Sequence, residues 1–239
     1  MKILIATIDE NIFLLKYYKK IFEKNHTKIK GVIIFPIKNK KISFFDFVRI
    51  QIKILGLYDF IKVGILILKN YIIKFMPSNE IITIKNLAKK YNIETYNFSS
   101  INSDEVLKLI NKEKIDLVVC SINEIIKKEI FDNSRAIFIN RHFGLLPKYK
   151  GVWPLYWALK NKEKKCGITF HTMTSEIDGG DIIKQKEVEI KKGDTYLSLT
   201  KKCFDMSYSM LNEIINDYES GNMSLIKQDN LKSTYFTHP

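Results

Sequence analysis

The hydrophobic pattern changes period in a repeating order along the chain. Lys2–Ala6 is a short apolar run of the kind found in strands buried on both faces of a parallel sheet. Phe13, Leu14, Tyr17, Tyr18 and Ile21 then recur at helical spacing, and Ile29–Phe35 returns to a continuous apolar run, giving strand, helix, strand. Residues 42–76 predict two helices broken near Gly56. Their apolar residues are too dense for one narrow stripe, so both sides are expected to be covered, by the body of the protein or by a second subunit. Ile81–Tyr91 reads as a helix and Ile93–Tyr96 as a short strand. Asn102 with Glu105 three residues on reads as the cap of a helix to Ile110.

Farther along, Asp116–Cys120 and Ala136–Ile139 are strands with a helix over Glu124–Ile130 between them. A helix runs from Pro154 to Leu159, and Cys166–Thr172 and Asp181–Glu189 form a late pair of strands. Asp194 and Thr195 cap a long helix that Gly221 ends, with Leu197, Thr200, Phe204, Ser207, Leu211, Ile214 and Tyr218 on one face. Residues 222–239 are polar and expected to be only partly ordered, with Tyr235 and Phe236 able to dock. The fold class is therefore α/β: a mostly parallel sheet flanked by helices, with late strands and a C-terminal helix. Residues 1–190 are expected to form the catalytic domain, with 191–239 a helix and tail packed on it.

Composition narrows this only in part. With 239 residues, 46% hydrophobic and 27% charged, the chain can bury a proper core. The formal charge of +13 is almost all lysine, since Arg49, Arg135 and Arg141 are the only arginines. Spread along the whole chain, it reads first as solvated lysine bias and second as attraction for anionic ligands: nucleotides, folates or RNA. Cys120, Cys166 and Cys203 lie far apart without metal-ligand spacing, and read as buried thiols in a reducing cytoplasm. No run approaches the ~18 apolar residues of a membrane span, and Asp9 and Glu10 interrupt the N-terminus too early for a signal peptide. A cytoplasmic protein without membrane insertion is expected; a peripheral membrane contact through residues 42–76 is the minor alternative.

The densest chemistry lies in Phe138–Asp181. Asn140 and His142 are two residues apart at a strand end, so both side chains can point the same way, as a pair of donors suited to a developing oxyanion. Asp178 sits in a glycine-rich loop that can present a carboxylate to them, and a carboxylate against an imidazole favours its charged form. No serine or cysteine stands beside His142 as a nucleophile. The set suits attack by an external nucleophile on a carbonyl, through a tetrahedral intermediate. Taken singly, each residue has an ordinary structural reading: a turn asparagine, a loop histidine, an aspartate before Gly-Gly. Trp153, Tyr156 and Trp157 are core aromatics by default, and His171 is more readily a support of the Asp178 loop than a catalyst. The turn Thr7–Asn11 has no glycine, which argues against a Gly-x-Gly-x-x-Gly or P-loop phosphate site.

The order of three motifs is more specific. Asn140-Arg141-His142-Phe143-Gly144-Leu145-Leu146-Pro147, then Gly167-Ile168-Thr169-Phe170-His171, then Asp178-Gly179-Gly180-Asp181, resembles the folate-dependent formyltransferase family over roughly residues 115–190. The resemblance implies a Rossmann-like formyltransferase fold and 10-formyltetrahydrofolate as formyl donor. It implies Asn140, His142 and Asp178 as catalytic residues, with His171 and Thr169 supporting them. It places the pteridine against the segment Ser121–Ile126 (Ser121, Asn123, Ile125, Ile126) and Gly179, and the acceptor near Lys150, Trp153 and Tyr156. Phe143-Gly144 departs from the proline-serine pair common in the family, a change that leaves the triad intact.

For the acceptor, the resemblance leads to short sugar N-formyltransferases of the dTDP-4-amino-4,6-dideoxyglucose type, which serve surface polysaccharides. The expectation rests on there being no counterpart, within these 239 residues, of the additional C-terminal domain of methionyl-tRNA formyltransferases, the glycine-rich loop of glycinamide ribonucleotide transformylases or the regulatory domain of formyltetrahydrofolate hydrolases. A homodimer acting on a nucleotide sugar, without DNA or RNA, is the expectation. The alternative is a tRNA-facing formyltransferase or an RNA-binding protein.

Overall fold

A computed structural model describes residues 1–36, 43–73, 81 and 83–238. In chain order the strands are β1 (Ile3–Ile8), β2 (Ile29–Phe35), β3 (Thr95–Tyr96), β4 (Leu117–Ser121), β5 (Ile137–His142), β6 (Lys150–Gly151), β7 (Lys165–Thr172), β8 (Ile182–Glu189) and β9 (Tyr235–Phe236). The helices are α1 (Leu14–Asn25), α2 (Phe44–Leu55), α3 (Leu57–Ile73), α4 (Ile84–Lys90), α5 (Asp104–Glu113), α6 (Lys128–Asp132), α7 (Pro154–Lys160) and α8 (Tyr196–Glu219). Seven strands form one sheet in the order β3-β2-β1-β4-β5-β7-β8, parallel from β3 to β5. Strand β7 joins β5 antiparallel, and β8 joins β7 antiparallel. Strands β6 and β9 make a separate parallel pair.

The continuous apolar run of β1 reflects burial on both faces. Ile3 and Ile5 enter one core with α1, α4 and α8, while Leu4 and Ala6 enter the other with Val106 and Ile110 of α5 and Ile130 of α6. Ile3, Leu4 and Ile5, each 1% exposed, contribute about 1.5–3 kcal/mol apiece relative to exposure. All three cysteines are free and buried. Helix α8 starts with a capping box between Thr195 and Ser198. Its buried face includes Leu199, Cys203, Met210 and Leu211, whereas Leu197 and Tyr218 are only half-buried.

Other expectations need correction. Helix α5 begins after Ser103, not at an Asn102 cap, and Ser103 makes no side-chain cap bond. Asn102 instead donates to the Ile125 carbonyl (2.9 Å) and accepts from the Lys127 N–H (2.7 Å). With the Glu124 carboxylate bonded to Ser100, the backbone through 124–127 is held out of a helix, so α6 starts only at Lys128. The break at Gly56 is present, and the described residues cover only one side of α2 and α3; the parts of the predicted helices at residues 42 and 74–76 lie outside the described residues. Residues 222–238 return to the domain: Ile226 bridges to Ile182, and Tyr235–Phe236 pair with Lys150–Gly151. No helix among the described residues is long and apolar enough to cross a membrane.

The glycine-free turn after β1 has a local explanation. The Glu10 carboxylate accepts from the backbone N–H groups of Ile12 (2.6 Å), Phe13 (2.9 Å) and Leu14 (2.7 Å). Those are the orphan donors at the start of α1, where a phosphate would otherwise bind. A side chain of the protein fills that anion site. Replacing Glu10 by Ala is expected to lower unfolding stability by about 1 kcal/mol, read from urea denaturation; an unchanged midpoint would show that the carboxylate does not cap the helix.

Candidate active site

The site is built on β5 and on the loop between β7 and β8. Strand alternation sends Asn140 and His142 to one side and Arg141 to the other. The loop bends back over them by a tight route: a Cβ on Gly180 would lie 1.8 Å from the Thr172 carbonyl oxygen, so only glycine fits there. Asp178 takes the left-handed backbone region (φ +49°), which costs a non-glycine residue roughly 1–2 kcal/mol. Its surroundings hold it there. Gln228 donates from Nε2 to the carbonyls of Asp178 and Gly180, both at 2.7 Å, and the Gly151 N–H donates to Asp178 Oδ2 at 2.8 Å.

The Asp178 carboxylate stands between two imidazoles. His142 Nδ1 is 3.5 Å from Oδ2 and His171 Nε2 is 3.5 Å from Oδ1. These are ion-pair distances, longer than good hydrogen bonds. Each ring makes its short bond elsewhere: His142 Nε2 donates to the Tyr149 carbonyl and His171 Nδ1 to the Thr172 carbonyl, both at 2.7 Å. Carbonyl acceptors place the protons on those nitrogens. Asn140 Nδ2 lies 3.4 Å from His171 Nε2. Asn140, His142, His171 and Asp178 therefore form one connected group, with the side chains of His142 and Asp178 only 6% and 10% exposed.

The electrostatics correct one expectation. Burial lowers the His142 pKa below the ordinary histidine value, and this outweighs the upward pull of the Asp178 charge. The imidazole is thus neutral at pH 7, not charged as a carboxylate neighbour alone would make it. Burial also works against ionised Asp178, but His171, His142 and the Gly151 N–H outweigh it and hold the carboxyl below the usual carboxylate range. An ionised carboxylate beside a neutral imidazole follows.

Gly144 is the counterpart of the motif departure. A Cβ at that position would lie 2.7 Å from His142 Nε2 and 2.9 Å from its Cδ2, so the missing side chain makes room for the ring. Phe143 packs edge-on to Phe204. Thr169, fully buried, donates to the Gly144 carbonyl (2.6 Å), accepts from the Leu146 N–H (3.2 Å) and accepts from Gln185 (2.8 Å). It fixes the segment that follows His142.

The remaining predicted residues fall into two groups. Ser121 ends β4 next to Cys120, which pairs with Asn140. Beyond it Asn123 is exposed and Ile125 is 60% exposed, whereas the Ile126 side chain is core and leaves only its backbone for a ligand. Gly179 adjoins Asp178, and Ile177 on the other side is 45% exposed. Lys150, Trp153 and Tyr156 gather with the C-terminal segment. Lys150 is buried in the β6–β9 pair, Trp153 packs on Tyr196 and donates to His238 Nδ1 (3.4 Å), and Tyr156 packs edge-on to Trp157. Phe236 stacks on both Tyr149 and Trp157. Phe236 docks as its aromatic character suggests, whereas Gln228 carried no sequence signal; the Tyr149 carbonyl and Gly151 N–H lay within the motif but act through backbone.

Comparison with known proteins places these residues in context. The family model described as formyl transferase matches residues 74–215, more than half of the chain. A methionyl-tRNA formyltransferase of Thermotoga maritima is 32% identical over 153 residues, which are 64% of this chain and 49% of that protein. The chain spans about half the length of the curated relatives it matches. Among solved structures, an N-formyltransferase from Helicobacter canadensis, in complex with folinic acid and dTDP-3-aminofucose, superposes with a TM-score of 0.63 at 20% identity, covering 99% of this chain and 71% of that one. A phosphoribosylglycinamide formyltransferase from Streptococcus pneumoniae gives 0.62 at 15% identity, covering 91% and 98%. At such identities the likeness is one of fold.

A proton titration checks the electrostatics. A buried neutral histidine favours the folded state above the ordinary pKa of about 6.5, and that contribution falls away as pH drops towards the lower folded value. NMR titration of the four histidines is expected to place His142 below about 6.5, and Asp178→Asn, which removes the upward pull, is expected to lower it further. A midpoint above the ordinary value, or one raised by Asp178→Asn, would contradict the assignment.

Proposed function

Because the chain belongs to the formyl transferase family, we propose that it moves a formyl group from 10-formyltetrahydrofolate to the amine of a nucleotide-linked amino sugar, of the dTDP-4-amino-4,6-dideoxy class. The observation that carries this reading is the convergence of Asn140, His142 and Asp178, from two separate segments, on one nearly buried point. The residues present fit a flat aromatic donor with a polar reacting end. Ile125 and Ile177 present apolar side chains on the two segments expected to hold it.

The donor is a consumed substrate that supplies an activated formyl carbon. The Nε2–H of His142, now spent on the Tyr149 carbonyl, and the Nδ2–H of Asn140 are the donors for the formyl oxygen as it gains negative charge. Asp178, kept ionised, takes a proton from the attacking amine; the unprotonated Nε2 of His171, beside its other oxygen, offers the proton a second position. The proton ends on the nitrogen that the formyl group leaves. The acceptor class is supported by the dTDP-3-aminofucose in the Helicobacter canadensis protein. Glu10 filling the anion site of α1 argues against a phosphate gripped there.

A second reading has its own support. Relatives at 30–34% identity are named methionyl-tRNA formyltransferases, and the charge of +13 suits an RNA acceptor. One assay separates the two: incubation with 10-formyltetrahydrofolate and either dTDP-amino sugars or methionyl-tRNA, reading the gain of one formyl group by mass. Formylated sugar is expected; formylated methionyl-tRNA with untouched sugar would replace the first reading by the second. In the productive assay His142→Asn and Asp178→Asn are expected to lower turnover at least about 100-fold with the dichroism spectrum unchanged. Near-wild-type turnover in either variant would remove that residue from the chemistry.

A further inference from the structure

Of the eighteen large hydrophobic side chains left exposed among the described residues, eleven lie on α2 and α3. On α3 the pattern is inverted. Asp59 is its one buried residue, while Leu57, Ile61, Ile65, Leu68 and Ile72, spaced by four, four, three and four, form one stripe that is 51–65% exposed. Phe44, Phe45 and Tyr58, at 74%, 82% and 78%, extend the surface to the bend at Gly56. The apolar area amounts to something on the order of 1,000 Å², against roughly 300–600 Å² for the largest patch on a typical monomer. A surface of that size is a docking face.

Charge selects what docks there. The two helices expose four cations, Arg49, Lys53, Lys62 and Lys69, and one carboxylate, Asp46. Helix α3 roofs a cavity of about 890 Å³ against α1 and α8, lined by six lysines, Lys62 and Lys69 among them, and three carboxylates. A second copy meeting this face about a two-fold axis would set cation against cation. An apolar stripe flanked by cations, on a helix that does not span, matches a helix lying in the interface of an anionic bilayer. We propose that the α2–α3 hairpin docks the protein on anionic phospholipid surfaces, with α3 in the plane of the interface. The cavity shares Tyr17 and Phe204 with the cage that holds the Arg141 guanidinium, 4.3 and 4.2 Å from its centre, and Arg141 lies between Asn140 and His142. The cavity thus lies on the side of β5 to which Arg141 points, opposite to Asn140 and His142. This inference does not depend on which acceptor is formylated, or on formyl transfer at all.

Flotation of the full chain with vesicles tests it, using phosphatidylglycerol mixed with phosphatidylcholine against phosphatidylcholine alone, with velocity sedimentation of the lipid-free protein alongside. The wild type is expected to float with the anionic vesicles and much less with the neutral ones. The triple variant Phe44→Ser, Phe45→Ser, Tyr58→Ser, all on exposed positions, is expected to lose binding by at least about tenfold while keeping its dichroism spectrum. Should that variant misfold, reversing Arg49→Glu and Lys53→Glu supplies the second arm, with loss of preference for anionic vesicles expected. Wild type that stays with the aqueous fraction in both cases, or folded serine variant that floats like wild type, would overturn the proposal. So would a lipid-free dimer that the serine substitutions dissolve, since a second copy would then be the occupant.

Discussion

The site depends on where one carboxylate is held. Asp178 lies 3.5 Å from each of two imidazoles, in a backbone conformation that an aspartate does not prefer. Within its own loop, the Gly179 N–H donates across it to the Glu176 carbonyl at 3.3 Å. The Gly151 N–H fixes the carboxylate, Gln228 fixes the backbone on both sides of Gly179, and Gly180 allows the loop to press against Thr172. Three segments distant in sequence thus meet to hold the carboxylate between the two imidazoles. Burial lowers the histidine while its neighbours keep the carboxylate ionised, so the proton acceptor and the oxyanion donors are separate groups.

Gln228 shows why a linear reading stops short. It stands in a polar tail with no periodicity, and its importance comes from two carbonyls some fifty residues earlier in the chain. Tyr149 and Gly151 contribute a backbone carbonyl and a backbone N–H, for which side-chain chemistry gives no sign. By contrast, Asn140, His142, Asp178 and Thr169 were readable because strand alternation and an ordered set of motifs constrain side chains directly. The apolar runs at β1, β2, β4 and β5 were readable for a similar reason: a strand buried on both faces has little freedom in composition. The Asn102 cap failed because a side-chain amide has several possible partners within reach, and the 125–127 loop offered better ones.

Three local features shape the site and its surroundings in this chain. Gly144 leaves room for the His142 ring to turn onto the Tyr149 carbonyl, and Glu10 caps α1 with the protein's own carboxylate. The α2–α3 hairpin adds an apolar and cationic face over α1 and α8. Each is a local substitution of one physical solution for another within a common framework of parallel strands.

The claim that a distant segment holds Asp178 in place is tested most directly by single-turnover formyl transfer in Gln228→Ala, measured across pH at saturating donor. The account predicts a rate lower by on the order of tenfold, an unchanged dichroism spectrum, and a KM for the donor close to that of the wild type, because the lost contact positions the carboxylate and does not bind ligand. A folded Gln228→Ala protein with the wild-type rate and pH profile would contradict it.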